Sequence, residues 1–222
     1  MWLRSSIGKK VVMAVSGVVL FGFVLGHLIG NLIIFGGQAA FNAYAHKLDL
    51  MRPFVWVVRM ILLTAVGAHV WTSIALSREN AAARPIGYRV RKDRETSFAA
   101  RTMMISGSLV AAYIVYHLLH LTFRVTNPDI SRGVINGSRD VYTMVVKSFQ
   151  MPLISGIYLV GMTLLWFHLM HGLGSVFQTL GLNNERWLPR CQFGGRLVAA
   201  LLYLGYVAIP LAVMFGFLRL PG

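Results

Sequence analysis

Five long apolar runs, at about 11–36, 54–77, 99–123, 150–179 and 194–218, leave this chain few folds to choose from. As a helix rising about 1.5 Å per residue, each is long enough to cross a hydrocarbon core roughly 30 Å thick. Backbone amides in lipid have no water to bond, so each run must satisfy its own, and a helix does so within one segment. The period-two alternation of a membrane strand is absent from all five. The expected fold is all-α and integral to a membrane, with five transmembrane helices in a single domain over 1–222. Pro53, Pro128 and Pro152 fall at or near run ends, whereas Pro210 lies inside the fifth run and is expected to kink it.

Composition narrows the class. The chain is 56% hydrophobic and only 13% charged, against about 25% charge in a soluble domain. Its net charge is +14, but the Lys and Arg residues lie between the apolar runs. That placement suits anionic lipid headgroups and topology signals rather than nucleic acid. The single cysteine, Cys191, excludes an internal disulfide or a cysteine-ligated cluster. The first run exceeds the apolar region of a signal peptide, and it is expected to be retained.

The basic residues also give an orientation. Three lie near the N-terminus (Arg4, Lys9, Lys10), seven between runs two and three, and three between runs four and five (Arg186, Arg190, Arg196). Thirteen of the 21 Lys and Arg residues thus share one side. By the positive-inside rule the N-terminus is cytoplasmic and the C-terminus external.

Four histidines, His27, His69, His117 and His168, sit inside four successive runs. Runs one and three point outward, so His27 and His117 fall in the outer half. Runs two and four point inward, so His69 and His168 fall in the inner half. An ionisable residue at such depth is costly and normally faces the protein interior with a partner. Paired imidazoles on facing helices suit an iron porphyrin ligated on both faces, which leaves no open coordination position and favours electron transfer. Zinc would require three or four converging ligands, and all seven acids lie in loops or at run ends. The plainer reading of each histidine alone is a hydrogen bond to a neighbouring helix. The fifth run has no histidine and reads as a packing helix.

A short internal repeat accompanies the pairs. Ser16-Gly17 precedes His27 as Ser106-Gly107 precedes His117, with ten residues from glycine to histidine each time. Gly17 and Gly107 either let a flat macrocycle approach the helix backbone or serve small-residue helix packing. His120 and His171 follow His117 and His168 by three residues, on roughly the same helix face. They are candidates for propionate or quinone contacts, or for ligands in place of their neighbours. Lys147 and Arg124 are candidates to neutralise propionates or simply to anchor helix ends. His46, Ser5 and Ser6 complete the quinone candidates, with His46 otherwise a solvated or interfacial histidine.

Several pieces of sequence carry a resemblance. They are Gly-His-Leu-Ile-Gly-Asn around His27, Ala-Phe-Asn-Ala-Tyr-Ala-His at 40–46 and Gly-Ala-His-Val at 67–70. Ser-Gly followed by Tyr-His-Leu at 106–118 and Phe-His-Leu-Met-His-Gly-Leu at 167–173 complete the set. In this order and spacing they resemble the single-chain, two-haem cytochrome b anchor of succinate:quinone oxidoreductases, a family that includes quinol:fumarate reductases. The resemblance implies a five-helix anchor in a prokaryotic cytoplasmic membrane, docked on its inner face to an iron–sulfur subunit that carries a flavoprotein, in a complex open to oligomerisation. It implies two b haems, with His27 and His117 on the distal one and His69 and His168 on the proximal one. Alignment through Gly172-Leu173 favours His168 over His171. Menaquinone or ubiquinone is the implied membrane substrate, and dicarboxylate chemistry belongs to the partners. Arg89, Arg91, Lys92 and Arg94 are candidate docking contacts. Some family members carry a glutamate two residues before the ligand of the fourth span, and here that position is Trp166. The rival expectations are a cytochrome b of a hydrogenase or formate dehydrogenase, and a haem-free transporter or assembly protein.

Overall fold

The computed structural model describes residues 5–83, 102–131, 133–135, 137–181 and 184–221. It is 84% helical, and five helices are long and apolar enough to cross a membrane. The chain is thus an all-α, multi-pass membrane protein. The proposed docking residues Arg89, Arg91, Lys92 and Arg94 lie outside the described residues.

The first span is α1 (Ser6–Leu32), capped by the Ser5 hydroxyl, which accepts the Gly8 amide at 3.0 Å. It tightens into a 3-10 turn over Ile33–Gly36. Gly37 then takes a φ of +88°, a value that L side chains resist, and the helical path is broken there. A separate helix α2 (Gly37–Leu50) follows where the sequence reads as a loop. The second span is α3 (Arg52–Ala82), longer than its apolar run at both ends. The third is α4 (Met103–His117), finished by a π turn over Leu118–Thr122. Between the third and fourth spans stand a one-turn helix α5 (Pro128–Ser131), a two-residue hairpin of β1 (Val134–Ile135) and β2 (Ser138–Arg139), and α6 (Val141–Phe149). The fourth span is α7 (Pro152–Thr179). The fifth, α8 (Leu188–Met214), starts and stops earlier than its run and contains Pro210.

Packing is uneven along the bundle. The closest helix neighbours are α7 with α8, α1 with α3, and α4 with α7, and α1 also meets α7 and α8. In α8, 44% of the most apolar window is buried, against 6% in α3. The fifth helix is therefore the packing helix, while α3 leaves most of its surface exposed. The main core lies at the end of the bundle away from the N-terminus, called the far end below. There Ile34, Phe41, Tyr142, Val146, Phe149, Tyr158, Ile209 and Val213 close together. Two Arg–Trp contacts stand near helix starts: the Arg59 guanidinium lies 5.0 Å over the Trp56 ring and that of Arg190 lies 5.2 Å over Trp187.

A polar clasp secures the far end. Residues Gln38, Asn42, His46 and Asp49 recur every three or four positions along α2 and so share one face. Gln38 and Asn42 donate to the Asp140 carboxylate at 3.1 and 2.9 Å, and the Tyr142 amide donates to Asn42 Oδ1 at 3.0 Å. His46 Nδ1 meets Ser138 Oγ at 3.3 Å, and Asp49 pairs with Arg139. Asp140 itself caps α6 by accepting the Thr143 amide at 3.0 Å. Burial pushes the Asp140 carboxyl up, but the bonds from Thr143, Asn42 and Gln38 outweigh it and hold the group below the usual carboxylate range.

Candidate functional site

The four histidines meet as two pairs between facing helices. The rings of His27 on α1 and His117 on α4 have centroids 5.9 Å apart, with planes at 87°. Those of His69 on α3 and His168 on α7 are 6.2 Å apart, at 69°. Neither α1 with α4 nor α3 with α7 is among the closely packed helix pairs. These helices reach one another through imidazoles, and all four histidines are only half-buried.

The glycine repeat explains how the near pair is seated. A Cβ on Gly17 would lie 3.4 Å from His69 Cε1, and one on Gly107 would lie 3.2 Å from His168 Cε1. Each glycine therefore takes an imidazole from the neighbouring helix against its backbone, and the two contacts use the same ring atoms, Cε1 and Nδ1. The repeat thus relates the pair α1–α3 to the pair α4–α7. Ten residues separate each glycine from the histidine on its own helix, which puts the two levels about 15 Å apart along the bundle.

Hydrogen bonding orients the rings. His69 Nδ1 faces the Met13 carbonyl at 3.2 Å and Ser16 Oγ at 3.3 Å, which leaves Nε2 for other work. At the far level the Tyr158 hydroxyl lies 3.4 Å from His117 Nδ1. His168 Nδ1 is buried with no protein partner among the described residues, as are Tyr113 Oη and Trp166 Nε1. A buried polar atom without a partner is costly and calls for an explanation.

The ring separations match the length expected for one metal between two imidazoles at each level. A metal–nitrogen bond is about 2 Å, and a ring nitrogen lies roughly 1 Å from the ring centre. Two imidazoles on opposite sides of one metal therefore place their centroids about 6 Å apart, close to both observed separations. Among the described residues no three His, Cys, Asp or Glu side chains converge. Each level thus offers two imidazoles, too few by themselves for a zinc site, and they could hold a metal only if a cofactor supplied its other ligands.

The remaining candidates are dispersed. His120 is 1% exposed, and both of its nitrogens are engaged, Nδ1 with Tyr158 Oη at 2.9 Å and Nε2 with Ser148 Oγ at 3.1 Å. It has no nitrogen left for a quinone, a propionate or a metal. His171 is half-buried one turn beyond His168, and His46 is exposed on α2. Lys147 is exposed on α6, and Arg124 lines a surface hollow with Phe123, Gly133, Val134 and Arg139. Ser5 is a helix cap, and Ser6 donates to Glu79 Oε2 at 3.1 Å. Lys9, expected as a lipid anchor, is buried and paired with Glu79. Trp166 stacks on Tyr203 with centroids 5.2 Å apart. Sequence reasoning missed Tyr158, whose ring contacts those of Tyr113, Tyr116, His117, His120 and Phe149. The available signal was a tyrosine inside an apolar run, a residue with a polar handle that seeks a partner when buried.

No family model, curated protein or solved structure matches this chain.

Proposed function

We propose that the chain is the membrane anchor and electron-transfer subunit of a succinate dehydrogenase or fumarate reductase complex. It holds two b haems between a partner iron–sulfur subunit, itself joined to a flavoprotein, and membrane quinone. The single observation that supports this reading best is the pair of imidazole pairs at two depths, with centroids 5.9 and 6.2 Å apart. His27 and His117 would hold the far haem, and His69 and His168 the near one. A haem ligated on both faces supplies one-electron transfer and no open coordination position.

The chain's own residues do the rest. The Met13 carbonyl and Ser16 engage Nδ1 of His69, so that Nε2 would be the ligating atom. Gly17 and Gly107 give the near imidazoles their seats. Quinone reduction takes two electrons and two protons, and of the proposed contacts His46 and His171 retain an accessible ring. The choice of dicarboxylate partner rests on the sequence resemblance and on the N-terminal face being cytoplasmic, in a prokaryotic inner membrane.

The test is a haem count on the purified chain, joined to an optical redox titration. Two b haems per chain are expected. His27→Ala and His117→Ala should abolish one spectral component, and His69→Ala and His168→Ala the other. A colourless protein from haem-replete cells defeats the reading. Copurification followed by succinate and fumarate assays separates this complex from a hydrogenase or formate dehydrogenase.

A further inference from the structure

Among the described residues, the far level carries a buried side-chain hydrogen-bond chain, whereas at the near level His69 meets only the Met13 carbonyl and Ser16. The far-level chain runs from His117 Nδ1 to Tyr158 Oη (3.4 Å), on to His120 Nδ1 (2.9 Å), and from His120 Nε2 to Ser148 Oγ (3.1 Å). His120 and Ser148 are each 1% exposed and Tyr158 is 4% exposed, so water does not substitute for these partners. The chain draws on three elements: α4 and its π turn, α6, and α7. The π turn over Leu118–Thr122 includes His120.

Hydrogen counting gives this chain two internally consistent polarities. A tyrosine hydroxyl has one hydrogen, and a neutral imidazole has one N–H and one acceptor nitrogen. In the first, Ser148 donates to His120 Nε2, His120 Nδ1–H donates to Tyr158, and Tyr158 donates to His117 Nδ1. In the second, His117 Nδ1–H donates to Tyr158, Tyr158 donates to His120 Nδ1, and His120 Nε2–H donates to Ser148. The first uses every hydrogen of Ser148, Tyr158 and His120. The second is the one compatible with a neutral His117 ligating through Nε2, because its proton must then sit on Nδ1.

We propose that Tyr158, braced by His120 and Ser148, is a positioning residue for His117. It accepts the Nδ1–H of the ligating imidazole, orients the ring, and makes its Nε2 more basic, while the whole chain reverses polarity when His117 takes up its metal. This rests on the assignment of His117 as an axial ligand. Such partners of a ligating histidine fix its tautomer and raise its basicity, and their loss typically costs 10–100-fold in metal affinity. A more basic imidazole favours the oxidised metal. The near level differs, with a backbone carbonyl and a serine at His69 and no protein partner at His168 Nδ1. The two centres should therefore have different potentials for a reason built into the protein.

Tyr158→Phe in the full chain is the test, because it removes one oxygen and keeps the ring. The haem component lost in His117→Ala should shift to a more positive midpoint potential in Tyr158→Phe, with an altered electron paramagnetic resonance signature. The other component should stay fixed. Ser148→Ala should shift the same component in the same direction by less. Unchanged potential and signature in Tyr158→Phe, at full haem content, overturns the proposal. Nitrogen-15 histidine spectra provide a second reading that requires no haem. In the haem-free chain His120 should be the Nδ1–H tautomer, and Tyr158→Phe should move the ring shifts of both His117 and His120. If those shifts do not move, the proposal fails on its own terms. If they move but His117→Ala leaves both haem components in place, the ligand assignment is what fails.

Discussion

Gly107 and Gly17 make the same contact with different tolerance. At 3.2 Å a new Cβ on Gly107 is tighter than packed atoms normally stand, so the His168 ring must give, while 3.4 Å at Gly17 is ordinary contact. Alanine in place of glycine favours a helix by about 0.5–1 kcal/mol. Gly17→Ala is therefore expected to hold or raise the thermal unfolding temperature in detergent. Gly107→Ala should lower it. Asp140 carries a second prediction at this scale. Its carboxyl is held below the usual range, so between its folded and unfolded values the native state binds fewer protons. The stability it adds is fully present above the ordinary carboxylate value and disappears as pH falls through the folded one. Thermal unfolding followed from neutral to acidic pH should show this acid limb. Asp140→Ala should flatten it and cost about 1–2 kcal/mol at pH 7, the range for losing a helix cap and its buried bonds.

At the scale of elements, α2 acts as a clasp rather than a connector. Its polar face binds the segment 138–143 through Gln38, Asn42, His46 and Asp49. Asn42 matters most, since it both donates to Asp140 and accepts the Tyr142 amide. Asn42→Ala should destabilise the protein by roughly 1–3 kcal/mol, because a buried amide loses its acceptor. In a double-mutant cycle with Asp140→Ala the two losses should not add, with a coupling of about 0.5 kcal/mol or more. Additive losses would show that α2 and α6 are held independently. The clasp also sets the height of α6, and through Ser148 the position of His120.

For the whole molecule, the five candidate crossings among the described residues predict that the two chain ends lie on opposite faces of the membrane. Reporter fusions at residue 90 and at the C-terminus should therefore report opposite compartments, with residue 90 cytoplasmic by the distribution of Lys and Arg. Equal compartments would remove the antiparallel geometry that lets His27 meet His117 and His69 meet His168. The buried core is concentrated at the far end, and α3 has little of it. If the proposed near-level haem is bound, its loss should accordingly loosen α3 first. Hydrogen exchange on α3 amides, compared between loaded and haem-depleted protein, checks this: faster exchange on α3 than on α8 is expected after depletion.

The five membrane-length helices, their order and the placement of His27, His69, His117 and His168 inside four of them were legible in the sequence, because lipid imposes a length and a polarity rule on each segment separately. Which histidines can meet also follows, once successive spans alternate in direction. The helices α2 and α6 were not legible as such. They are shorter than a span, and their amphipathic faces have meaning only against each other. The role of Gly17 and Gly107 shows the same limit: the ten-residue repeat was visible, but that each glycine seats an imidazole from the next helix depends on how the helices are rotated. Tyr158 and Ser148 lie 41 and 31 positions from His117 in the chain, and only helix packing brings them to His117 and His120. Spacing along one helix is local, and so sequence determines it. Contacts between helices are set by rotation and by the close approach of particular side chains, and those the tertiary structure alone decides.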